Sequence, residues 1–116
     1  MKTHQGSCHC GAVTFTVNAD IEKAMECNCS YCSRKGFLLH FIPREQFTLI
    51  SGEENLTKYH FNRHHIDHLF CKTCGVQAFA YGKKPDGTEI VALNVRSIPD
   101  VDVAALTIEQ IDGKSF

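Results

Sequence analysis

Seven cysteines in a chain of 116 residues fall into three short clusters: Cys8-x-Cys10, Cys27-x-Cys29-x-x-Cys32 and Cys71-x-x-Cys74. One or two residues between thiolates is the spacing of metal ligands. A tight loop can turn both sulfurs onto one ion at little extra cost in chain entropy. Four sulfurs at about 2.3 Å close a tetrahedral zinc site, whereas three leave a coordination position free. The count divides as four plus three. Cys8, Cys10, Cys71 and Cys74 can close one structural site. Cys27, Cys29 and Cys32 remain for a second, more labile site with an open position. A closed site stabilises a fold; an open one can do chemistry.

Other uses of the cysteines fit less well. A disulfide framework needs an oxidising compartment and usually an even count. The segment MKTHQGSCHCGAV has no apolar h-region, so the expectation is a soluble protein of a reducing compartment, the cytoplasm. Ferredoxin-type spacings for an iron–sulfur cluster are absent. A redox reading of Cys71 and Cys74 would want a βαβ context, which the pattern does not offer. The apolar fraction of 43% suffices for a folded core, and no stretch approaches the roughly 20 apolar residues of a spanning helix. A formal net charge of −1 with no basic run argues against a nucleic-acid partner. The length predicts one domain over residues 1–116, with metal sites as staples for a modest core.

The elements that must position these ligands read as short strands. Ala12 to Val17 alternates, with Val13, Phe15 and Val17 on one face and Thr14 and Thr16 on the other. Gly36 to Ile42, Phe47 to Ile50, Thr57 to Phe61, Ile66 to Phe70, Val76 to Tyr81 and Glu89 to Val95 are further candidates. A polar turn is expected around Asn62, Arg63 and His64, and Pro85-Asp86-Gly87 is a strong turn signal. Helical signal is confined to one turn from Val103 to Leu106, with Asp102 as N-cap. The fold class is therefore mainly β. Cys8-x-Cys10 then lies just before the first strand. Cys71-x-x-Cys74 lies in a turn between two strands, with Gly75 free to take positive φ.

Three motifs together resemble a known family. Gly6-Ser7-Cys8-His9-Cys10-Gly11-Ala12-Val13-Thr14-Phe15 is similar to the opening of the glutathione-dependent formaldehyde-activating family, which includes a domain of centromere protein V. Cys27-Asn28-Cys29-Ser30-Tyr31-Cys32 and Phe70-Cys71-Lys72-Thr73-Cys74-Gly75, followed by Phe79, resemble its other cysteine motifs. The tail is similar as well: Asn94-Val95-Arg96, then Asp100, Asp102 and Asp112-Gly113-Lys114. The resemblance implies a β-tent of small coiled antiparallel sheets stapled by zinc. It implies a structural zinc on Cys8, Cys10, Cys71 and Cys74, and a second zinc on Cys27, Cys29 and Cys32 near the thiol site. It also implies condensation of glutathione with formaldehyde, a carbon–sulfur lyase-type reaction.

The residues themselves agree on what an open three-thiolate site could do. Three thiolates on a dication leave a net negative centre, so making hydroxide is not the favoured role. A soft ion favours a soft fourth ligand such as a substrate thiol, whose pKa would fall from about 8.5. The thiolate, free or held near zinc, could then attack an aldehyde carbon. The alternative is that a histidine closes the triplet as Cys3His. Seven histidines are available, and His40, His64, His65 and His68 lie between the triplet and the last pair. His9 sits inside the first knuckle, where its neighbours already fill the site. Arg34 and Lys35 follow Cys32 directly and could pair with the carboxylates of a glutathione-like ligand, or be solvated in a turn. Phe37, Phe41 and Phe47 could wall a pocket or pack in the core. Arg96 and Asp112 could form an internal salt bridge or take part in catalysis. Two non-enzymatic readings stand beside the enzyme: a zinc-stabilised binding module, and a thiol or metal sensor.

Overall fold

The computed structural model describes residues 1–61 and 66–112. Among these described residues ten strands make two sheets. The smaller sheet has the order β1–β2–β5, from Thr3–Ser7, Thr14–Asn18 and Phe47–Ser51. The larger contains β3 (Lys23–Cys27), β4 (Leu39–Pro43), β6 (Leu56–Tyr59), β7 (Asp67–Cys71), β8 (Phe79–Lys83), β9 (Glu89–Asn94) and β10 (Thr107–Ile111). Its order is β10–β3–β4–β9–β8–β7–β6. Every neighbouring pair is antiparallel except β10 and β3, which run parallel. β3 meets β4 through one residue pair, Met25 and Leu39, so the β10–β3 ribbon is hinged onto a five-stranded sheet. The α-helix α1 (Ser30–Lys35) follows β3.

The core lies where the two sheets face each other. Val13, Phe15 and Val17 are buried while Thr14 and Thr16 are not, as the period-two pattern requires. Phe15 of β2 stacks on Phe47 of β5 at 5.4 Å and meets Phe79 of β8 edge-on at 5.7 Å, which joins the sheets through aromatic contacts. Gly6 pairs with Phe15 across β1 and β2, and a Cβ at Gly6 would come within 2.3 Å of the Phe15 ring. A bare backbone is therefore needed there. Phe37 and Phe47 belong to the buried set, whereas Phe41 is 39% exposed.

Several elements differ from the sequence expectation. β1 precedes the strand expected to be first, so Cys8-x-Cys10 sits in the β1–β2 turn rather than ahead of the sheet. His4 and Gly6 are its inward residues, and neither reads as apolar. β3 and β10 also lack a clean alternation, because β10 is exposed nearly throughout. The turn after Asp102 is a short 3-10 turn, Val103–Ala105, capped as expected by the Asp102 carboxylate on the Ala104 N–H. No helix among the described residues is long and apolar enough to cross a membrane.

Candidate metal centres

Two strand turns bring four of the cysteines together. In the first, the Cys8 N–H donates to the Val13 carbonyl at 3.0 Å; in the second, the Cys71 N–H donates to the Val76 carbonyl at the same distance. Gly11 and Gly75 take φ of 82° and 80°, the left-handed turn that lets each loop fold back under its sulfurs. All four Sγ atoms lie within 4.8 Å of one another. Cys10 is 3.7 Å from Cys8 and 3.6 Å from Cys71, sulfur to sulfur. Sulfurs at about 2.3 Å from a tetrahedral ion are about 3.8 Å apart, whereas a disulfide would need about 2.05 Å. The donors therefore fit a four-coordinate ion, and all seven cysteines are free thiols.

Further N–H groups aim at these sulfurs. The Asn55 side-chain amide donates to Cys71 Sγ at 3.1 Å and to Thr73 Oγ1 at 3.1 Å, while the Asn55 backbone carbonyl receives the Lys72 N–H at 2.9 Å. The Val13 N–H reaches Cys8 Sγ at 3.4 Å. Backbone N–H groups, first that of Cys74, bring the Cys71 pKa down to about 6 against the cost of desolvation. Cys10 moves the other way. The Ala12 N–H favours its thiolate, but lost hydration and the crowding of Cys71, Cys8 and Cys74 push it up to about 11. Packed thiols without a counter-charge cannot all ionise, and a cation at their centre removes that conflict.

The second cluster is built on a helix start. Cys27 ends β3, Cys29 is the N-cap of α1, and Cys32 lies on the helix itself. Their three Sγ atoms also lie within 4.8 Å of one another. The Cys32 N–H donates to Cys29 Sγ at 3.3 Å, so the cap side chain is a ligand candidate. Partial burial raises the Cys29 pKa, but this N–H and that of Tyr31 carry it below the usual range. Burial and the neighbouring Cys29 and Cys27 push Cys32 far up. Among the described residues no histidine or carboxylate joins the three sulfurs. His40 instead bonds the Lys23 carbonyl, His68 is buried among aromatic rings, and His64 and His65 lie outside the described residues. His9 is not part of the four-cysteine group.

Arg34 and Lys35 occupy the last turn of α1, not an isolated turn. The Arg34 guanidinium donates to the Ser30 carbonyl at 2.7 Å, and the Lys35 ammonium lies 5.8 Å over Tyr31 and 5.7 Å over Phe70. Both residues are solvent-exposed. Asp112 accepts a 2.9 Å hydrogen bond from the Asn28 side chain, and the Asn28 N–H reaches the Ile111 carbonyl, which fastens β10 beside the triplet.

Two residues absent from the sequence reading, Asn55 and Gln77, shape these sites, together with Tyr31 and His68, to which that reading gave no such role. Tyr31 packs against His68 at 4.4 Å, Phe61 at 5.4 Å and Tyr59 at 5.5 Å, and its hydroxyl donates to Gln77 Oε1 at 2.6 Å. His68 is 6% exposed and its Nδ1 has no partner among the described residues. Burial, then the nearby His60, holds its pKa below the ordinary value against the opposing pull of Asp67. A helix stop was visible for α1: basic Arg34 and Lys35 followed by Gly36, which caps the helix at φ 72°.

A family model described as glutathione-dependent formaldehyde-activating enzyme matches residues 3–107, a span that holds all seven cysteines. Among solved structures, the crystal structure of a Rhodobacter sphaeroides protein is similar at 30% sequence identity with a TM-score of 0.81. The match covers 92% of this chain and 99% of that one.

Proposed function

Because the chain belongs to the glutathione-dependent formaldehyde-activating enzyme family, we propose that it makes or breaks the adduct of a small glutathione-like thiol with an aldehyde such as formaldehyde. In this reading it is a single zinc-binding domain over residues 1–116. One zinc is held structurally by Cys8, Cys10, Cys71 and Cys74. A second, more labile zinc is held by Cys27, Cys29 and Cys32, which form the reaction site. The observation that carries the reading is the convergence of three sulfurs within 4.8 Å with no fourth donor among the described residues. Zinc bound there supplies a soft position for a thiol and favours its thiolate form.

The chain's own groups do the rest. The Cys32 N–H on Cys29 Sγ sets the geometry of the opening, and α1 holds it at the protein surface. Arg34 and Lys35, one turn away on an exposed helix end, are the cations for the ligand's carboxylates. The reaction is an addition without redox change. A sulfur–carbon bond forms, the carbonyl π pair moves to oxygen, and that oxygen gains the proton the thiol gives up. Seven free thiols support a reducing compartment, the cytoplasm.

The test is the exchange rate between glutathione, formaldehyde and S-hydroxymethylglutathione, for wild type, Cys29→Ser and buffer alone. The buffer arm is essential because thiols add to formaldehyde unaided. Acceleration lost in Cys29→Ser is the expected result. A wild-type rate equal to buffer across a panel of thiols and aldehydes, with no thiol binding, would instead favour a zinc-stabilised binding module.

A further inference from the structure

The helix that carries Cys32 has six residues and buries none of them. A helix this short does not repay its nucleation cost in isolation, so something outside it must fix its position. One side chain is placed to do so. Tyr31, between Cys29 and Cys32 in the chain, lies in the nest of His68, Phe61, Tyr59 and Phe37, the last at 5.9 Å. Its hydroxyl ends on Gln77, which is 5% exposed. Gln77 stands three residues beyond Cys74, and its backbone carbonyl is held at 2.9 Å by the Asn94 side-chain amide. The next residue back, Val76, receives the Cys71 N–H. A continuous route therefore runs from the closed knuckle to the open site: Cys74, Gly75, Val76, Gln77, Tyr31, Cys32.

We propose that Tyr31 and Gln77 are a positioning pair for the three-cysteine site, setting its ion affinity without touching the ion. The proposal rests on the reading of Cys27, Cys29 and Cys32 as a metal site. With the pair in place, the helix start is ordered before an ion arrives. Without it, ion binding must order the helix, and that ordering cost subtracts from affinity.

The test titrates Co²⁺ into the full chain and follows its thiolate charge-transfer and d–d bands, with a chelator in competition to resolve two affinities. Wild type, Tyr31→Phe, Gln77→Leu and the double variant are compared. Each single variant is expected to weaken the weaker site about tenfold, the effect of one lost, partly buried hydrogen bond. The stronger site keeps its affinity. The double variant is expected to lose about tenfold as well, not a hundredfold, because both changes remove one bond. Unchanged affinity at the weaker site, equal weakening of both sites, or additive losses would each overturn the proposal. A wild-type chain that binds one ion only overturns the metal reading and this proposal together. Loss of Co²⁺ affinity in Tyr31→Phe, in a protein that does not accelerate thiol–aldehyde exchange, refutes the enzyme reading and leaves the positioning pair standing.

Discussion

The two cysteine clusters differ most in the length of chain that an ion would tie together, and this difference can be measured. The sulfur contact between Cys10 and Cys71 spans 61 residues. Treated as a cross-link, a loop of that length removes about 4 kcal/mol of unfolded-chain entropy. The triplet closes only the short segment from Cys27 to Cys32, for which the same relation gives about 2 kcal/mol. Unfolding entropy for a chain of this length is about 0.24 kcal/mol per kelvin, so the two losses correspond to falls in Tm of about 18 °C and about 8 °C. The variant Cys10→Ala/Cys74→Ala removes one ligand from each half of the first site and leaves the buried Cys8 and Cys71 in the core. Cys27→Ala/Cys32→Ala is the matching variant of the triplet and spares the helix cap at Cys29. Thermal unfolding of both by circular dichroism, with metal content determined on the same samples, gives the comparison. The first variant should lose at least twice as much Tm as the second. Equal losses, or a larger loss from the triplet variant, would show that chain closure does not set the difference.

Two further outcomes follow from single residues. His68→Phe should keep the stacking against Tyr31 and remove the unpartnered Nδ1, so stability should be unchanged or rise by about 1 kcal/mol in denaturant titration. Because the folded-state pKa of His68 is lowered, by burial, then by His60 and against Asp67, its contribution is full above the unfolded value of about 6.5 and declines as the pH falls below it. The variant should therefore lose less stability than wild type between about pH 7.5 and pH 5.5; parallel curves would rule out the buried neutral imidazole. Gly6→Ala should destabilise by about 1–3 kcal/mol, because its Cβ would lie 2.3–2.9 Å from three atoms of the Phe15 ring. An unchanged unfolding midpoint would show that Phe15 can move away at no cost.

What the sequence made legible was chemistry carried by spacing. The sulfurs within each short cluster lie together as their spacing suggested, because two residues cannot separate ligands by much in any fold, whereas the meeting of Cys8 and Cys10 with Cys71 and Cys74 across 61 positions is the work of the fold. The alternation of β2, the cap at Asp102 and the turn at Asp86, whose carboxylate receives the Thr88 N–H, are equally local. The misses have a common physical cause: their stabilising partners are distant in the chain. β10 finds β3 across most of the molecule and in parallel, with hardly a buried residue to announce it. The Tyr31 hydroxyl meets Gln77 across 46 positions. α1 is too short for a helical period to register, though Gly36 after two basic residues marked its end.

The parallel pairing of β10 with β3 also bears on the order in which the molecule can be made. A ribosome releases Cys74 more than thirty residues before Thr107, so the ligands of the closed knuckle can meet while β10 is still inside the exit tunnel. The triplet has no such head start. Cys27 stands opposite Ile111 in the β3–β10 register, and the Asn28 N–H bonds to that same residue. Until β10 emerges, the strand leading into Cys27, Cys29 and Cys32 has an open edge. Vectorial synthesis thus lets the four-cysteine centre assemble first, while Cys27, Cys29 and Cys32, although made earlier, wait until β10 emerges for the strand pairing that flanks them.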